Sequence, residues 1–183
     1  MIDSIKNRHA CRQFDSKEVE NEKINEIIKA GLLAPSGMNR QTPTFIVIKD
    51  KKTRDDLMKL NRSFMTSDRG SDFDPFYGAP VIILVIAKKE GISIHDGAAA
   101  IENMLLEATN QGLGSCWIHR AKEEIESNEG RVLLSFTNLN FDEYIGVGHV
   151  IIGYSNETSI KQKVINENRV FIKWLITTFK NLY

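Results

Sequence analysis

The run at residues 80–87, PVIILVIA, constrains the fold more than any other stretch of the chain. It is apolar and rich in β-branched residues, with no polar residue at every second position, so as a strand it must be covered on both faces. Such a strand needs helices on either side of its sheet, and at this length it is far too short to cross a bilayer as a helix. Residues 45–48 (FIVI) have the same character, residues 116–118 form a shorter apolar stretch, and residues 148–154 (GHVIIGY) read as a further strand. Helices are expected over residues 2–12, 21–33, 53–60 and 96–111. In the second, Ile24, Ile27, Ile28 and Leu32 share one face; in the last, Ala98, Ile101, Met104, Leu105 and Ala108 form the buried stripe, with Asp96 as its cap and Gly112 as its stop. Residues 61–77 lack any regular period and read as a loop or lid. Residues 170–183 are a helix candidate whose Phe171, Trp174, Leu175 and Phe179 face needs a partner. The pattern predicts one α+β domain, layered α/β fashion, over residues 1–183, with strand order left open.

Composition narrows the function classes. Apolar residues make up 42% of the 183 and charged residues 26%, enough for a real core and too apolar for disorder. Lys plus Arg number 24 and Asp plus Glu number 24, so the electrostatic footprint of a nucleic-acid or anionic-membrane binder is missing. Any basic site must be local. The two cysteines, Cys11 and Cys116, are far apart and make no CxxC or Cys/His cluster, which suggests neither a disulfide framework nor a metal site and fits a reducing cytoplasm. The opening MIDSIKNRHACRQF is charged from its third residue and has no apolar core of a secretory signal.

Three segments have side chains suited to a ligand. Arg8 and Arg12 lie four apart on the expected first helix, which would put both guanidiniums on one face beside His9, able to fork onto a phosphate; the alternative is an ordinary solvated helix face. The turn from Pro35 through Ser36, Gly37, Met38, Asn39 and Arg40 to Gln41 is rich in groups that donate and accept, suited to a planar heterocycle; equally, Ser36 and Asn39 could satisfy the turn's own backbone. The run Gly112-Leu113-Gly114-Ser115-Cys116-Trp117-Ile118 sets two glycines where a helix stops and an apolar segment starts, so backbone can approach a ligand closely, or else it is a plain helix end leading to a core Trp and Cys. No HExxH, GxSxG or Walker-type loop occurs, and no catalytic side chain is assigned. The reactive group is most easily supplied by a bound cofactor.

In this order and at this chain length, the three segments resemble the FMN-dependent nitroreductase family over nearly the whole chain. The resemblance implies a mostly antiparallel central sheet flanked by helices, in a homodimer that exchanges a C-terminal extension. It implies tightly bound FMN, with NAD(P)H as co-substrate. The segment Arg8-His9-Ala10-Cys11-Arg12-Gln13-Phe14 is similar to the family's N-terminal phosphate-binding motif, with Ala10 where many members have Ser. Residues 34–41 are similar to its Pro-Ser-x-x-Asn-x-Gln turn, which in relatives reaches the flavin across the dimer interface; here Gln41-Thr42-Pro43 replaces the common Gln-Pro-Trp. The segment ending Trp117-Ile118 resembles the one whose backbone lies along the isoalloxazine ring, but His119-Arg120 follows in place of a glycine pair, giving a narrower and more basic entrance. A late basic residue near the phosphate is implied, for which Lys161, Lys163 and Arg169 compete and Lys163 is favoured; Asn61 is matched to a contact at the flavin edge.

The activity implied is ping-pong transfer of a hydride from NAD(P)H through the flavin to a nitroaromatic, quinone or similar small-molecule acceptor. The alternatives are a relative that uses flavin differently, by free flavin reduction, dehalogenation or flavin fragmentation, and a non-enzymatic flavin-binding dimer. No nucleic-acid or membrane partner is expected.

Overall fold

The computed structural model describes residues 1–66, 69–70, 72–160, 163–165 and 169–171. Its elements in chain order are α1 (Asp3–Asn7), α2 (Asn21–Leu32), β1 (Pro43–Ile48), α3 (Lys51–Ser63), β2 (Val81–Lys88), α4 (Ser93–Asn110), β3 (Gly114–Ile118), α5 (Ala121–Glu126), α6 (Asn128–Leu133) and β4 (Tyr144–Gly153). The four strands form one antiparallel sheet in the order β1-β2-β4-β3.

The expectation of a doubly covered central strand holds. Val81 to Ala87 are all buried, and the pleat divides them between two cores. Ile82, Leu84 and Ile86 point with Ile46, Ile151 and Ile118 toward Leu57, Phe76, Ile125 and Leu134. Val81, Ile83 and Val85 point with Val150 and Ile152 toward Ile24 and Ile27 of α2 and Ile101, Met104 and Leu105 of α4. At roughly 1.5–3 kcal/mol for each fully buried large aliphatic side chain, this two-sided burial anchors the fold.

Helix ends follow local chemistry. Asp50 caps α3, accepting from the Thr53 amide at 2.8 Å. Gly112, at φ +72°, ends α4: its own N–H meets Thr109 O, and the Leu113 N–H meets Ala108 O.

Three expectations need correction. The first helix stops at Asn7, because residues 8–12 offer no apolar helical stripe and the edge of β3 offers free backbone partners instead. Cys11 N–H donates to Ser115 O at 2.9 Å, and Ala10 and Phe14 bridge to Ser115 and Ser155. Asp96 does not cap α4, which begins three residues earlier at Ser93. The expected loop is helical through Ser63, so Asn61 belongs to α3. The short helices α5 and α6 have no sequence signature beyond the Ser127 cap that accepts from Gly130 N–H. The helix expected over 170–183 lies outside the described residues beyond Phe171, as does Lys161.

Among the described residues, no helix is long and apolar enough to cross a membrane.

Candidate functional site

The arm at residues 8–14 lies along the free edge of β3 and separates the two arginines expected to act together. Arg8 leaves the helical region at ψ 128° and its Nε lies 3.4 Å from Glu102 on α4. Arg12 turns the other way, its guanidinium carbon 6.0 Å from the centre of the Tyr77 ring. The shared helix face is therefore replaced by an extended arm with side chains on different neighbours.

Arg12 stands between two cavities. The first, of about 430 Å³, is lined by His9, Ala10, Arg12, Glu157, Thr158 and Ser159. Its one carboxylate among the described residues is already used: Glu157 meets the His9 ring at 2.9 Å and accepts the Arg12 backbone N–H at 2.9 Å. The Arg12 guanidinium donates through Nη1 to Ala10 O at 3.4 Å, and its remaining donors, with the hydroxyls of Thr158 and Ser159, can meet an anion.

The second cavity, of about 190 Å³, has aromatic walls. Met65, Arg69, Phe73 and Tyr77 come from the segment after α3; Cys116, Trp117, Ile118, His119 and Arg120 come from β3 and its exit. Trp117 lies over Gly148 of β4, where a side chain would collide: a Cβ there would sit 2.3 Å from the Trp117 Nε1. The buried Ser115 hydroxyl and Trp117 Nε1 have no partner among the described residues. Burial pushes the Cys116 thiol up from its ordinary pKa, which suits a wall residue and not a nucleophile.

The exit from β3 is held by three side chains with no exposed surface, Asn61, Glu124 and His149. Glu124 accepts from Asn61 Nδ2 at 2.6 Å through one oxygen, and its other oxygen lies 2.7 Å from His149 Nε2. Asn61 Nδ2 also donates to His119 O at 2.9 Å, and His149 Nδ1 faces Ile118 O at 3.4 Å. Both bonds made by Nδ2 end on acceptors, which assigns the orientation of the amide and leaves its Oδ1 buried without a partner among the described residues. Asn61, matched to a contact at the flavin edge, has no exposed surface and supports the cavity wall from beneath.

The turn at residues 35–41 lines neither cavity. Met38, Asn39 and Gln41 have φ of 54°, 55° and 52°, left-handed values that cost a residue with a side chain energy. Part of its polar content serves the turn itself, since Ser36 Oγ accepts the Gln41 N–H at 2.9 Å and Asn39 Oδ1 accepts from Gln41 Nε2 at 3.2 Å. The turn is pinned to α4 by Asp96, whose buried carboxylate accepts from Gly37 N–H at 3.0 Å and from the Thr42 hydroxyl at 3.2 Å. Pro35 and Met38 are exposed. Lys163 is exposed and lines neither cavity.

Sequence reasoning brought Arg12, Trp117, Ile118 and His119 to one cavity and His9, Ala10 and Arg12 to the other. It missed Glu157, Thr158 and Ser159, which follow the last strand without a motif, and it missed the Glu124–His149 pair. Arg69, Phe73 and Tyr77 were signalled only by the irregular composition of their segment.

Comparison with known proteins agrees with this architecture. A family model described as the nitroreductase family matches residues 5–154. A relative from Archaeoglobus fulgidus is 31% identical over 118 residues, 62% of this chain and 64% of its own length. One from Methanothermobacter thermautotrophicus is 25% identical over 183 residues, 95% of this chain and 87% of its own. Both carry the provisional name NADH dehydrogenase/NAD(P)H nitroreductase. The crystal structure of a nitroreductase with bound FMN from Bacteroides fragilis superposes with a TM-score of 0.86 at 28% identity, covering 94% of this chain and 97% of that one. With the matched region running from α1 to the end of β4, the chain belongs to the nitroreductase family.

Proposed function

We propose that this chain is an FMN-dependent NAD(P)H oxidoreductase that works in the cytoplasm as a homodimer. Its ping-pong cycle passes reducing equivalents to a nitroaromatic, quinone or similar acceptor. The observation that carries the reading is the pair of cavities meeting at Arg12, one polar with a guanidinium that meets no carboxylate and with hydroxyls, the other walled by Phe73, Tyr77 and Trp117. A molecule with a phosphate at one end and a flat ring at the other suits that pairing.

The residues present fit FMN. Arg12, with Thr158 and Ser159, would take the phosphate, His9 would hold Glu157 aside, and the backbone at Ala10 and Trp117 to His119 would flank the ring. Arg8 and Lys163 would lend longer-range positive charge. FMN, when bound, supplies the hydride chemistry that no side chain here provides. The chain's own part is to orient the ring, to keep water from it with aromatic walls, and to aim backbone N–H groups where negative charge gathers. No side chain is assigned as a proton donor.

The turn at residues 35–41 would act on the second copy's site. The turn carries Met38 and meets Ile92 at Gly37, and Leu32 and Leu33 precede it; these four are 86%, 55%, 63% and 82% exposed, an apolar rim that a second copy would cover. In that arrangement Pro35, Ser36, Gly37, Met38, Asn39 and Gln41 would complete the partner's flavin site.

The visible spectrum of the purified protein tests the reading, with NADH and then NADPH added without oxygen. A flavin band that bleaches is expected. Absence of the band after reconstitution with FMN would overturn it, and a band that neither nucleotide bleaches would favour a flavin-binding dimer without reductase activity. Arg12→Ala should strip most of the flavin, while Arg8→Ala, already engaged with Glu102, should strip less; equal loss would mean that Arg8 swings to the phosphate.

A further inference from the structure

The aromatic-walled cavity is lined by three arginines, Arg12, Arg69 and Arg120, and by no carboxylate among the described residues. In a chain with 24 basic and 24 acidic side chains this is a local excess. Arg8, Arg54 and Arg131 each meet a carboxylate. Among the described residues the guanidiniums of Arg12, Arg69 and Arg120 meet none. Arg69 lies over the Phe73 ring, 5.2 Å from its centre, and the Nε of Arg120 donates to Phe64 O at 3.4 Å. The terminal amino groups of Arg120 keep no protein acceptor among the described residues.

Arg120 is also held in a costly backbone conformation. It stands at φ 80°, ψ 10°, where glycine would rest without strain. Such strain persists only where the surroundings over-determine it, and here they do: Asn61 grips His119 O, and His149 faces Ile118 O, both from full burial. The buried trio thus fixes the two peptide groups before Arg120 and presents its side chain where the aromatic cavity meets a neighbouring one of about 540 Å³, whose walls include Phe64, Thr66, Lys122 and one carboxylate, Glu123. Lys122 is engaged by Glu126 at 2.8 Å, so Arg120 is the cation with donors to spare at that junction.

We propose that Arg69 and Arg120 form an anion subsite at the mouth of the acceptor cavity, selecting a planar substrate that carries an anionic oxygen group beside its reducible ring. The proposal rests on the reductase reading above and names the substrate class of that site. A guanidinium fork pairs with carboxylate or phosphate oxygens, and it does so more strongly where aromatic walls thin the water. With the flavin ring along the backbone of residues 117–119, Phe73 and Tyr77 would offer those walls to the acceptor's ring. The anion can come from the acceptor's own carboxylate or from the extra phosphate of NADPH, and the experiment separates the two.

The test uses the protein as purified, titrated calorimetrically without reductant with 4-nitrobenzoate and with its uncharged amide, 4-nitrobenzamide. KM values are then measured for both acceptors and for NADPH against NADH. The variants are Arg120→Gly, chosen because glycine accepts φ 80°, Arg120→Lys and Arg69→Ala. The wild type should prefer the carboxylate, and Arg120→Gly should lose about tenfold of that preference, the size expected for one charge-assisted hydrogen bond. Arg120→Lys should restore part of it, and raised salt should erode it. A loss confined to the NADPH:NADH ratio would assign the same subsite to the nucleotide phosphate. Equal affinity of the wild type for both nitro compounds, with ratios unmoved in every variant for both pairs, would overturn the proposal. A chain that takes up no FMN would sink the reductase reading, and the calorimetric preference would still decide the anion subsite.

Discussion

The turn at residues 36–42 and the strand exit at residues 118–120 both hold residues with side chains in left-handed conformations, yet they are secured in opposite ways. The exit is tied from below by Asn61, Glu124 and His149, none of which has exposed surface. The turn is tied at its ends by one buried carboxylate, that of Asp96, and its middle stands in solvent with Met38 86% exposed. Strain at the exit is balanced within the chain. Strain at the turn is balanced there only in part, which is the physical reason for proposing a partner surface at the turn. The contrast teaches that two segments similar in backbone can differ in what completes them.

The comparison can be broken by substitution. Glu124→Ala should be the most damaging change, because it leaves His149 and Asn61 buried without their shared acceptor; a loss of about 3–5 kcal/mol is expected in denaturant unfolding. A loss under about 1 kcal/mol would show that the exit is not held from below. Asp96→Ala should cost less, about 1–3 kcal/mol, by stranding the Gly37 N–H and the Thr42 hydroxyl. Amide exchange should then quicken at residues 37–42 while residues 116–120 stay protected, and quickening at both would merge the two regions into one unit. Met38→Gly should have the smallest effect, since relief of the left-handed strain and the added freedom of the unfolded chain nearly cancel, each about 1 kcal/mol. Clear destabilisation would mean that the contact of Met38 sulfur with Arg40, 3.4 Å away, holds the turn. Its consequence for self-association sharpens the test: sedimentation should show a weaker dimer if Met38 is covered there, and an unchanged one if it is not.

Much of the fold was legible because its cause is local. The unbroken apolar run of β2, the 3.6-residue stripe of α4 and the glycine stop at Gly112 each follow from neighbours in the chain. The site was legible in pieces. The segment ending at His119 was recognised, but its support was not, and Arg8 and Arg12 were joined on a helix that ends before either of them. A first helix of five residues has little stability of its own, so the competition was decided by the edge of β3, more than a hundred residues away in sequence.

What the sequence by itself determined is therefore the layered class, the doubly covered strand and the polar turn, together with the family likeness those motifs carry. The tertiary structure alone decided that Asp96 would pin the turn across 59 residues, that Asn61 and Glu124 would meet across 63, and that Arg12, Arg69 and Arg120 would converge on one cavity. The reason is physical. A helix stripe or strand alternation is written in residues a few positions apart, whereas a buried hydrogen bond or a shared cavity wall joins partners whose separation along the chain leaves no periodic trace, and only packing of the two cores brings them together.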